Sequence, residues 1–212
     1  MIRHGWIAAV SSLWICSGAA CAGTLEGTAV LQPPPRGQAR VRPEDAVVWL
    51  EKIPERTERD LTRKAGARDR RKPPPVTRLR VSNVQFDPRV AVVPVGGSLV
   101  IRNEDRVWHG LFSVSPTHAF ELGKRAPGRA DTLTFDKPGQ VQVRCDIHPD
   151  MSATVLVTPN HAFARADGAG HWQLPKVPKG DYVLRAWAPG QRELRRDVQV
   201  PARGTVSVAL RW

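Results

Sequence analysis

Short runs of alternating apolar and polar residues, separated by glycine and proline, fill most of the chain beyond residue 23. In Gln140-Val141-Gln142-Val143-Arg144-Cys145 the period of two puts Val141, Val143 and Cys145 on one face and Gln140, Gln142 and Arg144 on the other. The cysteine thiol therefore points inward at the end of a strand. Runs at 79–86, 90–95, 98–103, 111–114, 131–135, 140–145 and 152–157 are expected strands, and this many in so short a stretch suits a Greek-key sandwich.

A different rhythm begins after Pro159. Phe163, the turn Asp167-Gly168-Ala169-Gly170, Trp172 to Pro175, Gly180 to Trp187 and Gly204 to Trp212 read as strands and tight turns of a second, small sandwich. So few residues make a marginal core. The strand-like runs at 27–30 and 47–50 are available to complete it, so the first sandwich is expected either to be inserted in the second or to precede it. The whole chain is expected to be all-β. Residues 56–77 are polar, arginine-rich and contain Pro73-Pro74-Pro75, which marks a basic linker. A helical turn around 58–67 has too few apolar positions to bury a face.

The first residues follow another pattern. Arg3 precedes an uncharged, mostly apolar run from Gly5 to Ala22, and Ala20-Cys21-Ala22 before Gly23 fits a small-residue cleavage site. Residues 1–22 are expected to be a signal peptide, removed after Ala22 to leave a periplasmic protein with no transmembrane helix. An uncleaved anchor of this length would also span a bilayer, but the small residues from Ser17 to Ala22 favour cleavage. Gly18 stands where a bulky aliphatic is usual in a lipoprotein signal, which argues against lipidation at Cys21.

Charge sharpens the picture. The formal net charge is +12, and residues 56–80 hold ten basic side chains against three acidic ones. An exported chain of this charge is expected to meet an acidic protein face or an anionic envelope surface, not nucleic acid. Removal of residues 1–22 takes Cys16 and Cys21 with it and leaves Cys145 alone, so no intramolecular disulfide forms. An unpaired thiol in an oxidising compartment is a liability unless something engages it. The bland alternative is a buried cysteine acting as a small hydrophobe.

Cys145-Asp146-Ile147-His148-Pro149-Asp150-Met151 supplies what could engage it: a thiolate, an imidazole and a thioether in one short loop, stiffened by Pro149. A second imidazole is needed from a neighbouring strand end, and His109 is the candidate. The expected metal ligands are His109, Cys145, His148 and Met151, the donor set of one mononuclear type 1 (blue) copper. Zinc is the rival metal, but a thioether fourth ligand argues against a structural zinc site. His4, His118, His161 and His171 are expected to be ordinary side chains.

With these residues in place, 78–158 resembles a cupredoxin of the plastocyanin kind, with an amicyanin-like ligand loop. More broadly, the chain is similar to bacterial plastocyanin-like or methylamine utilization proteins, which share counterparts of Val95-Gly96-Gly97, Asn103-Glu104-Asp105, His109 and Phe135 to Gly139. Residues 23–55 together with 159–212 resemble the carboxypeptidase regulatory-like, transthyretin-like sandwich. One departure is that many cupredoxins follow the first ligand histidine with an asparagine tied to a hydroxyl after the cysteine. Gly110 and Asp146 stand here instead, and a carboxylate near the thiolate is expected to lower the redox potential.

The resemblance implies an electron-transfer protein, not an enzyme, whose expected partner is a redox protein such as a c-type cytochrome or a dehydrogenase with an acidic face. The carrier is expected to be a monomer, with His148 as the electron exit and Ile147, Pro149, Phe112 and Pro116 forming an apolar rim. The alternatives are periplasmic copper handling and an envelope scaffold with a structural copper site. The histidines lack the paired spacing of an oxidase copper cluster, and only two methionines disfavour a Cu(I)-chaperone surface.

Overall fold

The computed structural model describes residues 22–33, 41–64 and 76–212, and the chain is all-β. Residues 1–21, all but the last of the expected signal peptide and including Cys16 and Cys21, lie outside the described residues, as does the proline run of the basic segment. In chain order the elements are β1 (Ala22–Val30), β2 (Val47–Leu50), α1 (Glu55–Lys64), β3 (Val76–Ser82), β4 (Gln85–Asp87), β5 (Val90–Pro94), β6 (Ser98–Asn103), β7 (His109–Ser115) and β8 (His118–Arg125). There follow β9 (Ala130–Thr134), β10 (Gly139–Cys145), β11 (Ser152–Thr158), β12 (Phe163–Arg165), β13 (His171–Pro178), β14 (Gly180–Trp187), β15 (Leu194–Val200) and β16 (Thr205–Arg211).

Four sheets result, with orders β5-β11-β10-β7-β8, β4-β3-β6-β9, β12-β2-β14-β15 and β13-β1-β16. The first two enclose a core of Leu79, Phe86, Val93, Leu99, Ile101, Leu111, Phe135, Val141, Val143 and Val155. The last two enclose another, which includes Leu25, Val48, Leu50, Trp172, Leu184, Leu194 and Leu210. Strands β1 and β2 thus pair with strands that come after residue 162, on the far side of the sequence from β3 to β11. β1 lies between β13, antiparallel, and β16, parallel.

A third cluster joins the two sandwiches: Val47, Trp49 and Trp187 from one, Val90, Val92 and Leu156 from the other. This explains why β2, β5 and β11 read as continuous apolar runs and not as alternations. Val48 and Leu50 face one core while Val47 and Trp49 face the junction, and β5 divides in the same way between Ala91, Val93 and Val90, Val92. Each fully buried valine or leucine contributes roughly 1.5–3 kcal/mol. Arg165 crosses the same junction, donating from Nη1 to the Val90 carbonyl at 2.8 Å and from Nη2 to the Glu44 carbonyl at 2.9 Å.

Four elements depart from the sequence reading. Residues 55–64, expected as linker, form a helix, because α1 needs few apolar contacts: Leu61 and the preceding Ile53 reach the core, and Glu58 grips His161. The expected strand 79–86 is the hairpin β3–β4, turned at Asn83-Val84. β8 and β15 were not anticipated: both are edge strands, the alternate residues of β8 are only half-buried, and most of β15 is exposed.

Candidate metal centre

Strand phase delivers the thiol as expected. Cys145 ends β10, 4% exposed, on the inward face with Val141 and Val143. The ladder continues one step past it, where the Asp146 N–H donates to the Gly110 carbonyl at 2.9 Å. This registers the start of the 146–151 loop against β7, whose first residue is His109. At the far end of the loop the Met151 N–H donates to the His148 carbonyl at 3.0 Å, closing a tight turn around Pro149. Met151 is 2% exposed and belongs to the same core cluster as Cys145.

His109, Cys145 and His148 come together, their ligand atoms all within 4.8 Å of one another. Cys145 Sγ lies 3.8 Å from His109 Nδ1 and 3.6 Å from His148 Nδ1, and the two rings are 4.8 Å apart between centroids. These separations test whether a metal fits. Bonds of about 2.3 Å to sulfur and about 2.0–2.1 Å to nitrogen, meeting at roughly 110–120°, span sulfur-to-nitrogen distances of about 3.5–3.8 Å. The donor atoms already stand at that spacing.

Sequence reasoning missed what holds His109. Its ring is fully buried, and Nε2 lies 2.9 Å from Asp105 Oδ2. The carboxylate accepts the Nε2 proton, so Nδ1 keeps its lone pair for the cluster, an arrangement typical of metal-bound histidines. Asp105 is itself gripped. Its Oδ1 accepts the Asn83 N–H at 2.6 Å and its Oδ2 the Val84 N–H at 2.9 Å, while its own N–H donates to Asn103 Oδ1 at 3.0 Å. The buried Asn103 amide ties the same loop by donating to the carbonyls of Val107 and Arg125.

Burial pushes the Asp105 carboxyl up, but the two backbone donors and His109 outweigh it and hold the group below the usual carboxylate range. The signal in the sequence was the i, i+4 spacing of Asp105 and His109 in a loop. Asn83 and Val84 both have positive φ, 53° and 57°, as a two-residue type I′ hairpin demands. A β-branched residue is strained there. The strained turn aims both N–H groups at the carboxylate that orients His109.

The substituted pair, Gly110 and Asp146, is also interlocked. A Cβ on Gly110 would fall 1.7 Å from Asp146 Oδ1, so the absence of a side chain at 110 makes room for the carboxylate. Around the site Val107, Trp108 and Ile147 are exposed, with Trp108 at 54%, and Val84 is exposed on its turn. Pro116 does not join this rim. It follows the last residue of β7, whereas His109 is the first, about 20 Å away at 3.3 Å per residue. Phe112 is half-buried on the outer face of β7.

The other described histidines take no part. His118 packs on the Phe135 ring at 4.6 Å, His161 is held by Glu58, and His171 pairs with Asp167.

No protein-family model matches the chain, and no curated protein sequence matches it. Among solved structures, copper proteins are similar to part of it. The copper-containing nitrite reductase of Thermus scotoductus is 27% identical over 41% of this chain and 23% of its own, with a TM-score of 0.38. A mutant of amicyanin in its Cu(I) form is 21% identical over 39% of this chain and 81% of that one, TM-score 0.37. A second amicyanin mutant, also with Cu(I), is 20% identical with the same coverage and TM-score. The matched part thus spans less than a quarter of the reductase chain. No helix among the described residues is long and apolar enough to cross a membrane.

Proposed function

We propose that this protein is a periplasmic type 1 copper protein that carries single electrons between redox partners, with His109, Cys145, His148 and Met151 as ligands. The observation that carries this reading is the His109–Cys145–His148 cluster, buried at His109 and Cys145 and half-buried at His148, its donor atoms at metal-sharing distances and one imidazole already oriented by Asp105. Bound copper would supply the one-electron couple. The chain's own residues do the rest. Asp105 holds the His109 proton on Nε2, the packed core keeps water from Cys145, and half-buried His148 beside exposed Ile147 offers the shortest way to the surface. A partner is expected to meet the chain there, on the apolar mouth of Val107, Trp108 and Ile147. The split sandwich built on β1 and β2 fits a transthyretin-like frame for this unit.

Cys145, His109 and Asp105 also stand in the order of a thiol hydrolase. Burial speaks against that use: a thiol 4% exposed and an imidazole with no exposure leave no place for a substrate carbonyl beside them. The same burial disfavours copper delivery, which requires the metal to exchange. The bland structural role predicts no redox cycling at all.

The chain from Gly23 onward, given one equivalent of Cu(II), is expected to show an intense thiolate-to-copper band in the visible. The band should bleach with ascorbate, return with ferricyanide and be missing in Cys145→Ser. Copper bound without the band, or lost readily to a chelator, would favour metal handling. Failure to bind copper would leave the scaffold reading.

A further inference from the structure

The outer face of the sheet β4-β3-β6-β9 is basic. Arg78 and Arg80 alternate with buried Leu79 and Val81 along β3, and Arg102 on β6 stands directly opposite Arg80 in the parallel register. Residues two apart on a strand are separated by about 6.6 Å and neighbouring strands by about 4.8 Å, so the three side chains leave the sheet close together. They line one open groove of about 520 Å³ with Val100, Asn103 and Glu104. Arg80 pairs with Asp87, whereas Arg78 and Arg102 form no salt bridge among the described residues. None of the exposed large apolar side chains lies on this face. In sequence, Arg68, Arg70, Arg71 and Lys72 precede β3 and lead directly to Val76.

The face abuts the metal end of the sandwich. One step beyond the Arg80–Arg102 pair, Val81 is matched with Asn103, whose side chain anchors Asp105 and through it His109. β3 then turns at Val84, which is exposed as Val107, Trp108 and Ile147 are. Charge and apolar surface are therefore contiguous. A polyanion such as a charged polysaccharide would use the arginines alone, whereas a folded partner has use for both.

We propose that Arg78, Arg80 and Arg102 form an electrostatic docking site for an acidic redox protein, steering it onto the apolar mouth around Trp108. This rests on the electron-carrier reading above. Such a site acts mainly on the rate of encounter, and its effect fades as salt screens it.

The test compares the copper-loaded, reduced chain with its Arg78→Glu/Arg102→Glu variant. Oxidation rates are measured across ionic strength with two small probes, anionic hexacyanoferrate(III) and cationic tris(phenanthroline)cobalt(III). Charge reversal is expected to slow the anionic probe about tenfold at low salt and to speed the cationic one, with both differences shrinking above roughly 0.1 M. The visible band and the unfolding midpoint should be unchanged. The neutral pair Arg78→Gln/Arg102→Gln should give intermediate rates, and it serves if charge reversal impairs folding. Unchanged rates with an intact band would overturn the docking site and leave the carrier. A wild-type chain without the band would remove the carrier, and the docking site with it. Retention on dextran sulfate that is lost in the variant, with both rates unchanged, would assign the face to a polyanion and overturn the proposal.

Discussion

The side chain under most tension near the metal centre is Val84, not a ligand. Its left-handed conformation costs about 1–2 kcal/mol for a residue with a Cβ, and the N–H it thereby presents is one of two that fix Asp105. Glycine adopts the same φ without strain but gives back about 0.5–1 kcal/mol through the entropy of the unfolded chain. Val84→Gly is therefore expected to stabilise the metal-free protein by a net 0.5–1 kcal/mol or so in urea denaturation. A loss of stability would mean that packing of the valine side chain outweighs the strain. The His109–Cys145–His148 cluster was legible in the sequence because the 145–151 loop is contiguous and the strand phase fixes the direction of the thiol. Asp105 was not, because its role depends on a turn more than twenty residues upstream that only the fold brings to it.

Among the elements, α1 shows how little apolar surface a helix needs when a tertiary contact waits for it. Glu58 accepts the His161 N–H at 3.0 Å and also meets the His161 ring, and Thr62 stands 3.3 Å from the same ring. Glu58→Ala is expected to cost about 1–2 kcal/mol and to speed cleavage within 55–64 by an arginine-specific protease. Equal cleavage rates would show that Leu61 alone anchors the helix. The turn from β12 to β13 makes a second case. Asp167 Oδ1 accepts the N–H groups of His171, at 2.8 Å, and Ala169, at 2.9 Å. The His171 backbone bond is the main cause holding this carboxyl below its ordinary value, against some desolvation and with help from Ala169 and the His171 ring. A depressed carboxyl stabilises the fold above its unfolded value of about 3.9 and ceases to do so as pH falls through the folded one. In an acid titration followed by NMR, the Ala169 and His171 amide signals should move together with a midpoint below 3.9. A midpoint at the ordinary value would show the turn does not hold the carboxylate. Periodicity revealed most strands of both sandwiches, but it overlooked the edge strands β8 and β15, which bury little, and α1, which is anchored by contacts distant in sequence.

At the scale of the whole molecule, the junction decides whether the two sandwiches behave as one. Trp187 is 4% exposed between them, with Val90, Val92 and Leu156 on the opposing side. Trp187→Ala is expected to cost about 3–5 kcal/mol and to split a single calorimetric transition into two. One unbroken transition would place the coupling elsewhere, with Arg165 the next group to remove. The two sandwiches also differ in when they can be completed. Every strand of the sandwich that holds the His109–Cys145–His148 cluster lies between residues 76 and 158, while β1 must wait for β13 and β16 before it has a neighbour on either side. During synthesis from the N-terminus, that sandwich can close while its frame is still open at the centre of a sheet. A chain interrupted just before residue 205 would therefore carry a finished cluster on an unfinished body, with the edge of β1 that awaits β16 exposed to proteases.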